Sequence, residues 1–164
     1  MGNPTSFRYL PPNRFLKSIA VRYPDQPDRL FFPHQYRQLL RLMQHRSPAN
    51  RDWATFFIAL SGHSGPEVDD AMLRAAHDPD ADVRAEAILG LARRQRGSAF
   101  PLVRKNLAER PVMELSVKAA GYLAKRQLLP QLKRIRRFWS LDPAYLDAAI
   151  RACANGGKDD FNFD

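Results

Sequence analysis

The sequence predicts an all-α protein, a right-handed α-solenoid of about four helix pairs that follows an irregular, Pro-rich N-terminal arm. Three observations support this prediction. From residue 34 onward, apolar side chains recur with helical spacing in segments that end at proline, glycine or serine. No segment alternates apolar and polar residues as a half-buried strand would. Similar helical segments also return about 30 residues apart, as they do in α-solenoids.

The arm, residues 1–33, is set apart by its six prolines, through which no long helix can run. Aromatic and aliphatic side chains lie between these prolines, in a number too large for a free tail. We therefore expect an irregular arm that packs on the following domain, with one short helix at 13–22.

The helical domain is expected to span residues 34–155, and each of its helices has a recognisable start or stop. Asn50 is the expected N-cap of the second helix, and Pro66 is expected in the first turn of the third. Residues 156–164 are left as an acidic and aromatic C-terminal tail. The expected helices, in order, are 34–45, 51–60, 66–77, a segment between Asp80 and Gly97, 99–109, 112–125, 127–139 and 142–154.

An internal repeat relates these helices. Residues 83–92 match residues 115–124 at an offset of 32 and residues 145–154 at an offset of 62. Residues 52–54 match residues 82–84 at an offset of 30. A period near 30 that carries two helices is typical of an α-solenoid, in which neighbouring units complete one another's core. A plain helical bundle whose short loops imitate a period is the alternative.

Residues 78–92, which read Asp-Pro-Asp-Ala-Asp-Val-Arg-Ala-Glu-Ala-Ile-Leu-Gly-Leu-Ala, resemble a HEAT repeat. They most resemble the short HEAT-like variant, of about 30 residues, named after phycobilisome lyases. The resemblance extends over residues 34–154 and implies a scaffold or recognition surface, without implying lyase chemistry. In HEAT repeats the Asp and Arg that open the second helix often bond neighbouring units. Only Asp82 and Arg84 fit that pattern in full, so we expect no ladder of such bonds.

The net charge of +9 makes nucleic acid a partner to consider. This charge is unevenly distributed along the chain. Residues 1–50 and 101–150 each carry a net charge of +6, whereas residues 51–100 carry −2. No acidic side chain occurs between Glu114 and Asp142. We call the cations of this interval the basic cluster: Lys118, Lys125, Arg126, Lys133, Arg134, Arg136 and Arg137. A solvated face is the simplest explanation of such a cluster; phosphate groups or an acidic protein partner are the functional ones.

Helical geometry separates the two faces of the predicted helix 127–139. Its apolar side chains fall within about 60° of one another, whereas four cations occupy a different arc. The apolar stripe is Leu128, Leu132, Ile135 and Trp139, and Phe138 is the one aromatic side chain interleaved with the cations. A single aromatic favours contact with phosphate or protein over the reading of bases.

Three further features are candidate binding elements. The run 53–58 is apolar all round, which favours a buried helix, although Phe56 or Phe57 could be an exposed hydrophobic anchor. Asp69 and Asp70 would then contribute to an acidic rim beside it. In the C-terminal tail, Phe161 and Phe163 alternate with acids and could form a short docking motif, with a frayed terminus as the alternative.

The sequence carries no signature of an enzyme, a metal site or a cofactor. The four histidines show no ligand spacing, and no glycine-rich phosphate loop is present. Cys153, the one cysteine, falls on the apolar side of the last helix, where a small core residue is expected. No signal peptide or membrane span is visible, so a cytoplasmic location is expected.

These observations favour a non-enzymatic protein-binding scaffold or adaptor. The HEAT resemblance adds the hypothesis that the chain is an immunity protein, which would occlude a toxin. The alternative is nucleic-acid binding, in which the basic cluster contacts the phosphate backbone. The sequence specifies neither the partner nor an oligomeric state.

Overall fold

The computed structural model describes residues 10–22, 33–61, 63–95 and 97–157. In these ranges the chain forms nine α-helices and one 3-10 turn, without a strand, which confirms the all-α prediction. It divides into two compact units, residues 1–87 and residues 88–164. Of the arm, residues 1–9 and 23–32 lie outside the described residues, as do residues 158–164 of the tail.

The first unit is built around one apolar helix. Its helices are α1 (Arg14–Arg22), α2 (Pro33–Leu42), α3 (Pro48–Leu60), α4 (Pro66–Ala75) and the beginning of α5 (Ala81–Arg93). Helix α3 packs against α1, α2 and α4, and it buries Trp53, Phe57 and Ile58. The central, buried helix expected from the run 53–58 is therefore confirmed.

Helix α1 confirms the short helix predicted at 13–22. Leu16 and Ile19 are buried, and they form the apolar face of the helix. The Asn13 side chain accepts hydrogen bonds from the backbone N–H groups of Phe15 and Leu16, as N-cap residues do. The backbone N–H of Asn13 donates to Asn50 Oδ1 on α3 at 3.1 Å, which ties this part of the arm to the unit's central helix.

The second unit contains the rest of α5, α6 (Ala99–Asn106), α7 (Glu114–Leu123), a 3-10 turn (Arg126–Leu128), α8 (Leu129–Ile135) and α9 (Pro143–Asn155). Helices α7 and α9 are its most closely packed pair. Buried Ala119, Ala120 and Ala149 are small enough to allow this approach. Cys153 lies beside them, fully buried, and its Sγ donates to the Ala120 carbonyl at 3.4 Å.

The helix starts define the spacing of the helix pairs. Helices α2, α4 and α6 begin at residues 33, 66 and 99, and α3, α5 and α7 begin at residues 48, 81 and 114. Both series therefore have a spacing of 33 residues up to α7, and the last pair follows at shorter spacings, with α8 beginning at residue 129 and α9 at residue 143. The sequence matches gave offsets of 30 and 32. Arg51, and not Ala54, is the positional counterpart of Arg84, because each is the fourth residue of its helix.

Two predicted helix boundaries are wrong. Asn50 is not an N-cap: α3 already begins at Pro48, with Ser47 as its N-cap. Proline suits the first turn because its missing N–H has no partner there in any helix. The predicted helix 127–139 ends at Ile135. Beyond it, the backbone N–H of Arg137 donates to Arg134 and that of Phe138 to Ile135, and such i→i+3 bonds tighten the chain into a turn.

Candidate functional site

The basic cluster lies in the second unit, on α7, the 3-10 turn, α8 and the turn that follows α8. Six of its seven side chains are exposed; Lys118, on α7, is half-buried. Leu128, Leu132 and Ile135 lie beneath them, at most 1% exposed. The predicted apolar stripe is thus confirmed at these three positions, with the exposed cations on the other face; its fourth member, Trp139, lies beyond the end of the helix. Trp139 is half-buried at the end of the stripe, where its Nε1 donates to the Asp142 carbonyl at 2.9 Å.

Two members of the cluster are held by neighbouring side chains. Lys118 Nζ lies 2.8 Å from Glu114 Oε1 and 4.4 Å from the centre of the Tyr145 ring. Arg136 forms an ion pair with Asp147 on α9. These two cations therefore help to hold the unit together. The cations left for a partner are Lys125, Arg126, Lys133, Arg134 and Arg137.

The loop between α8 and α9 adds an apolar feature. Phe138 is 44% exposed and Leu141 is 46% exposed. The Arg110 guanidinium lies over the Phe138 ring, 4.2 Å from its centre, and so contributes a further positive charge at an exposed aromatic surface. We call Arg110, Phe138 and Leu141 the Phe138 corner. Sequence reasoning noted Phe138 but missed Arg110 and Leu141, because the loops on which they lie have no periodic pattern.

The candidate anchor on α3 is not supported at Phe57. That side chain is fully buried, since α3 is the central helix of its unit. Phe56 is half-buried and lies against Phe57, with 5.3 Å between the ring centres. Of the acidic rim, Asp69 is half-buried and Asp70 is exposed. The candidate tail motif, Phe161 and Phe163, lies outside the described residues.

Arg51 and Asp78 form an ion pair between two successive helix pairs, which the sequence did not lead us to expect. We call this pair the Arg51–Asp78 rung. Arg51 Nε and Nη2 donate to the two oxygens of Asp78, at 2.7 and 2.8 Å. Arg51 Nη1 also donates to the carbonyls of residues 45 and 46, and Arg84 Nη1 makes the same pair of bonds to residues 78 and 79. The rung joins α3 to the loop between α4 and α5. The sequence comparison missed this single pair because it aligned Ala54 with Arg84 at an offset of 30; the expectation that such bonds do not form a ladder is unchanged.

The two charges of this rung stabilise each other. Burial alone would raise the pKa of Asp78, but the hydrogen bonds from Arg51 and from the backbone N–H of Asp80, together with the positive charges of Arg51 and Arg84, outweigh it and lower that pKa. The hydrogen bond to Asp78 is also the main reason why the pKa of Arg51 is raised. Asp80 acts locally, since its Oδ1 accepts the N–H groups of Asp82 and Val83 and so caps α5.

The environment of the Cys153 thiol does not favour reactivity. Burial raises the pKa of its thiol to about 11, against a smaller lowering by a backbone hydrogen bond from Lys125. A nucleophile needs a thiolate, so this environment suits a packing role. Among the residues that the structure describes, no three His, Cys, Asp or Glu side chains are grouped so that they could hold a metal ion. None of the helices in those ranges is long and apolar enough to cross a membrane.

Comparison with known proteins gives a limited set of relatives. No protein-family model matches the chain. Two curated relatives are both named protein YibA, from Escherichia coli strain K12 and Escherichia coli O157:H7. Each is 29% identical over 94 residues, which cover 57% of this chain and 34% of the relative. The chain thus spans about a third of the length of the curated relatives it matches.

A solved structure is also similar. The crystal structure of Escherichia coli YibA aligns with a TM-score of 0.62 and 26% identity, over 71% of this chain and 42% of that chain. This likeness agrees with the all-α architecture.

Proposed function

We propose that this chain is a short, right-handed HEAT-like α-solenoid that serves as a non-enzymatic protein-binding scaffold or adaptor. The regular spacing of 29–33 residues between alternate helix starts supports the repeat architecture, and the Arg51–Asp78 rung is the type of bond that links HEAT repeats. The partner is a protein with an acidic surface. An immunity or inhibitor protein, which occludes a toxin, is the form of this function that the resemblance suggests.

The Phe138 corner is the observation that carries the proposal. An exposed aromatic ring with an arginine over it, and an exposed leucine three residues further along, provide an aromatic and an arginine of the kind enriched at protein interfaces, with added apolar surface. The five available cations around residues 125–137 would steer an acidic partner and pair with its rim. Phosphate contacts alone would leave the two apolar side chains of the corner unexplained.

Affinity capture from cell lysate, with and without nuclease, tests the class of partner. We expect the same proteins to be captured in both conditions by the wild-type chain, and to be absent when the double variant Phe138→Ser/Leu141→Ser is used. Val21→Ser is the matched control, because Val21 is 70% exposed in the first unit, on α1. Loss of every partner after nuclease treatment would contradict the protein-binding function.

Nucleic-acid binding is the second candidate, favoured by the absence of any acidic residue between Glu114 and Asp142. If it holds, alanine at Lys125, Arg126, Lys133, Arg134 and Arg137 will flatten the dependence of log K on log salt, by about 0.7–0.9 for each phosphate that is no longer neutralised. Lys17→Ala/Arg22→Ala, which removes exposed cations from α1, is the control. Absence of binding by the wild-type chain at physiological salt would exclude this candidate.

A further inference from the structure

The first unit has a groove between α2 and α4, and the proposed function assigns no role to the residues that line it. It consists of two adjoining cavities of about 180 and 190 Å³ that share Gln44, Ala71 and Arg74. Three arginines line the first cavity, two from α2 and one from α4: Arg37, Arg41 and Arg74. Its apolar base includes Leu40, which is buried like Ala71.

The repeat places two of these arginines at equivalent positions. Arg41 and Arg74 are each the ninth residue of their helix. Two successive repeats therefore have an arginine at the same position, and both side chains line one groove. Arg37 lies one turn before Arg41 on the same face of α2. A cation in the last turn of a helix also complements the helix dipole, but that effect does not account for Arg37.

The positive charge of the groove is incompletely balanced. Among the described residues, no ion pair or hydrogen bond engages the guanidinium of Arg37, Arg41 or Arg74. One carboxylate, Glu67, lines the same cavity, which leaves a net charge of +2. The neighbouring Arg51–Asp78 pair, in the second cavity, is neutral as a unit. The exposed Gln44 side chain adds an uncharged amide donor.

We propose that this groove binds a phosphate monoester, held by Arg37, Arg41 and Arg74 with Gln44 as an additional donor. Guanidinium groups match the oxygens of a phosphate in paired hydrogen bonds, which an ammonium group cannot do. A monoester dianion also neutralises the groove, whereas a phosphodiester carries one negative charge. Cavities of this size accept the phosphoryl group itself and leave the rest of the ligand outside. The proposal does not depend on the Phe138 corner, which lies in the other unit.

Calorimetric titration of the full chain with methyl phosphate and with dimethyl phosphate, at equal ionic strength near neutral pH, tests the charge requirement. We expect saturable binding of the monoester at millimolar concentration, and much weaker binding of the diester. Arg41→Ala/Arg74→Ala should weaken monoester binding by at least about tenfold, and Glu67→Gln should strengthen it about threefold. Arg151→Ala, which removes an exposed cation from α9, should leave it unchanged.

A phosphoserine peptide and its unphosphorylated twin identify the source of the phosphoryl group. Tighter binding of the phosphopeptide than of methyl phosphate indicates a phosphorylated protein, and equal binding indicates a small phosphorylated molecule. Equal affinity for the monoester and the diester, tighter binding of a short oligonucleotide, or unchanged binding in Arg41→Ala/Arg74→Ala would overturn the proposal. All three arginines are exposed, so circular dichroism should report the wild-type fold for the variants.

Discussion

Arg51 illustrates how one side chain can fix the junction of two helix pairs. Its guanidinium group binds both oxygens of Asp78 and two backbone carbonyls, in a site where the two side chains are 14% and 9% exposed. Removal of either partner leaves the other charge poorly solvated. The sequence alone did not reveal this pair, because its two members lie 27 residues apart.

Asp78→Asn should therefore lower the free energy of unfolding by about 2 kcal/mol, measured by urea denaturation at neutral pH. Because the folded pKa of Asp78 is lowered, its contribution is fully present above the unfolded pKa, about 3.9, and is lost as the pH falls through the folded value. The difference in free energy of unfolding between the wild-type chain and Asp78→Asn should thus become smaller below about pH 4. Asp70→Asn, at an exposed position, is the control. A gap that stays constant down to acidic pH would contradict the assignment.

Cys153 provides a second test at the residue scale. With a pKa raised to about 11 by burial, its thiol should not react with iodoacetamide at pH 8 while the chain is folded, and should react readily in urea. Mass spectrometry of the alkylated product measures both states. Fast alkylation of the folded protein would mean that the end of α9 opens easily.

Helical elements were predictable wherever an apolar stripe repeats every three to four residues. Leu128, Leu132 and Ile135 were assigned to the interior from periodicity, and they are buried. Helix ends were less predictable, because they depend on partners far along the chain. Asn50 has the residue type of an N-cap, yet its side chain accepts the backbone N–H of Asn13, 37 residues away.

Helix α8 permits a matched comparison of its two faces. Leu132→Ala should cost about 2–5 kcal/mol of stability, because a fully buried leucine is removed, whereas Lys133→Ala should change it by less than about 0.5 kcal/mol. Chemical denaturation of the two variants measures both values. Similar losses at the two positions would show that this segment is packed on both faces.

At the scale of the whole molecule, the net charge of +9 is a poor guide to function until it is placed on the structure. Some of the cations are already paired with acids, as Lys118 with Glu114 and Arg136 with Asp147. Among the other cations, five belong to the basic cluster and three line the groove between α2 and α4. Sequence reasoning found the first group as a run along the chain. It missed the groove, because only the folded chain brings Arg37 and Arg41 of α2 to the same cavity as Arg74 of α4.

Binding of an acidic protein partner should consequently depend on salt. We expect the association rate to fall as sodium chloride is raised from low to high concentration, with a smaller change in the dissociation rate, because exposed charges steer the encounter. Surface plasmon resonance separates the two rates. An association rate that does not respond to salt would exclude a steering role for the exposed cations of the basic cluster.

The affinity of the captured protein partner for the wild-type chain and for Phe138→Ser/Leu141→Ser, measured by isothermal titration calorimetry, tests the central claim most directly. If the Phe138 corner is the anchor of a protein interface, the double variant will bind at least about tenfold more weakly, while Val21→Ser will bind like wild type. Equal affinity of the double variant and the wild-type chain would contradict the claim.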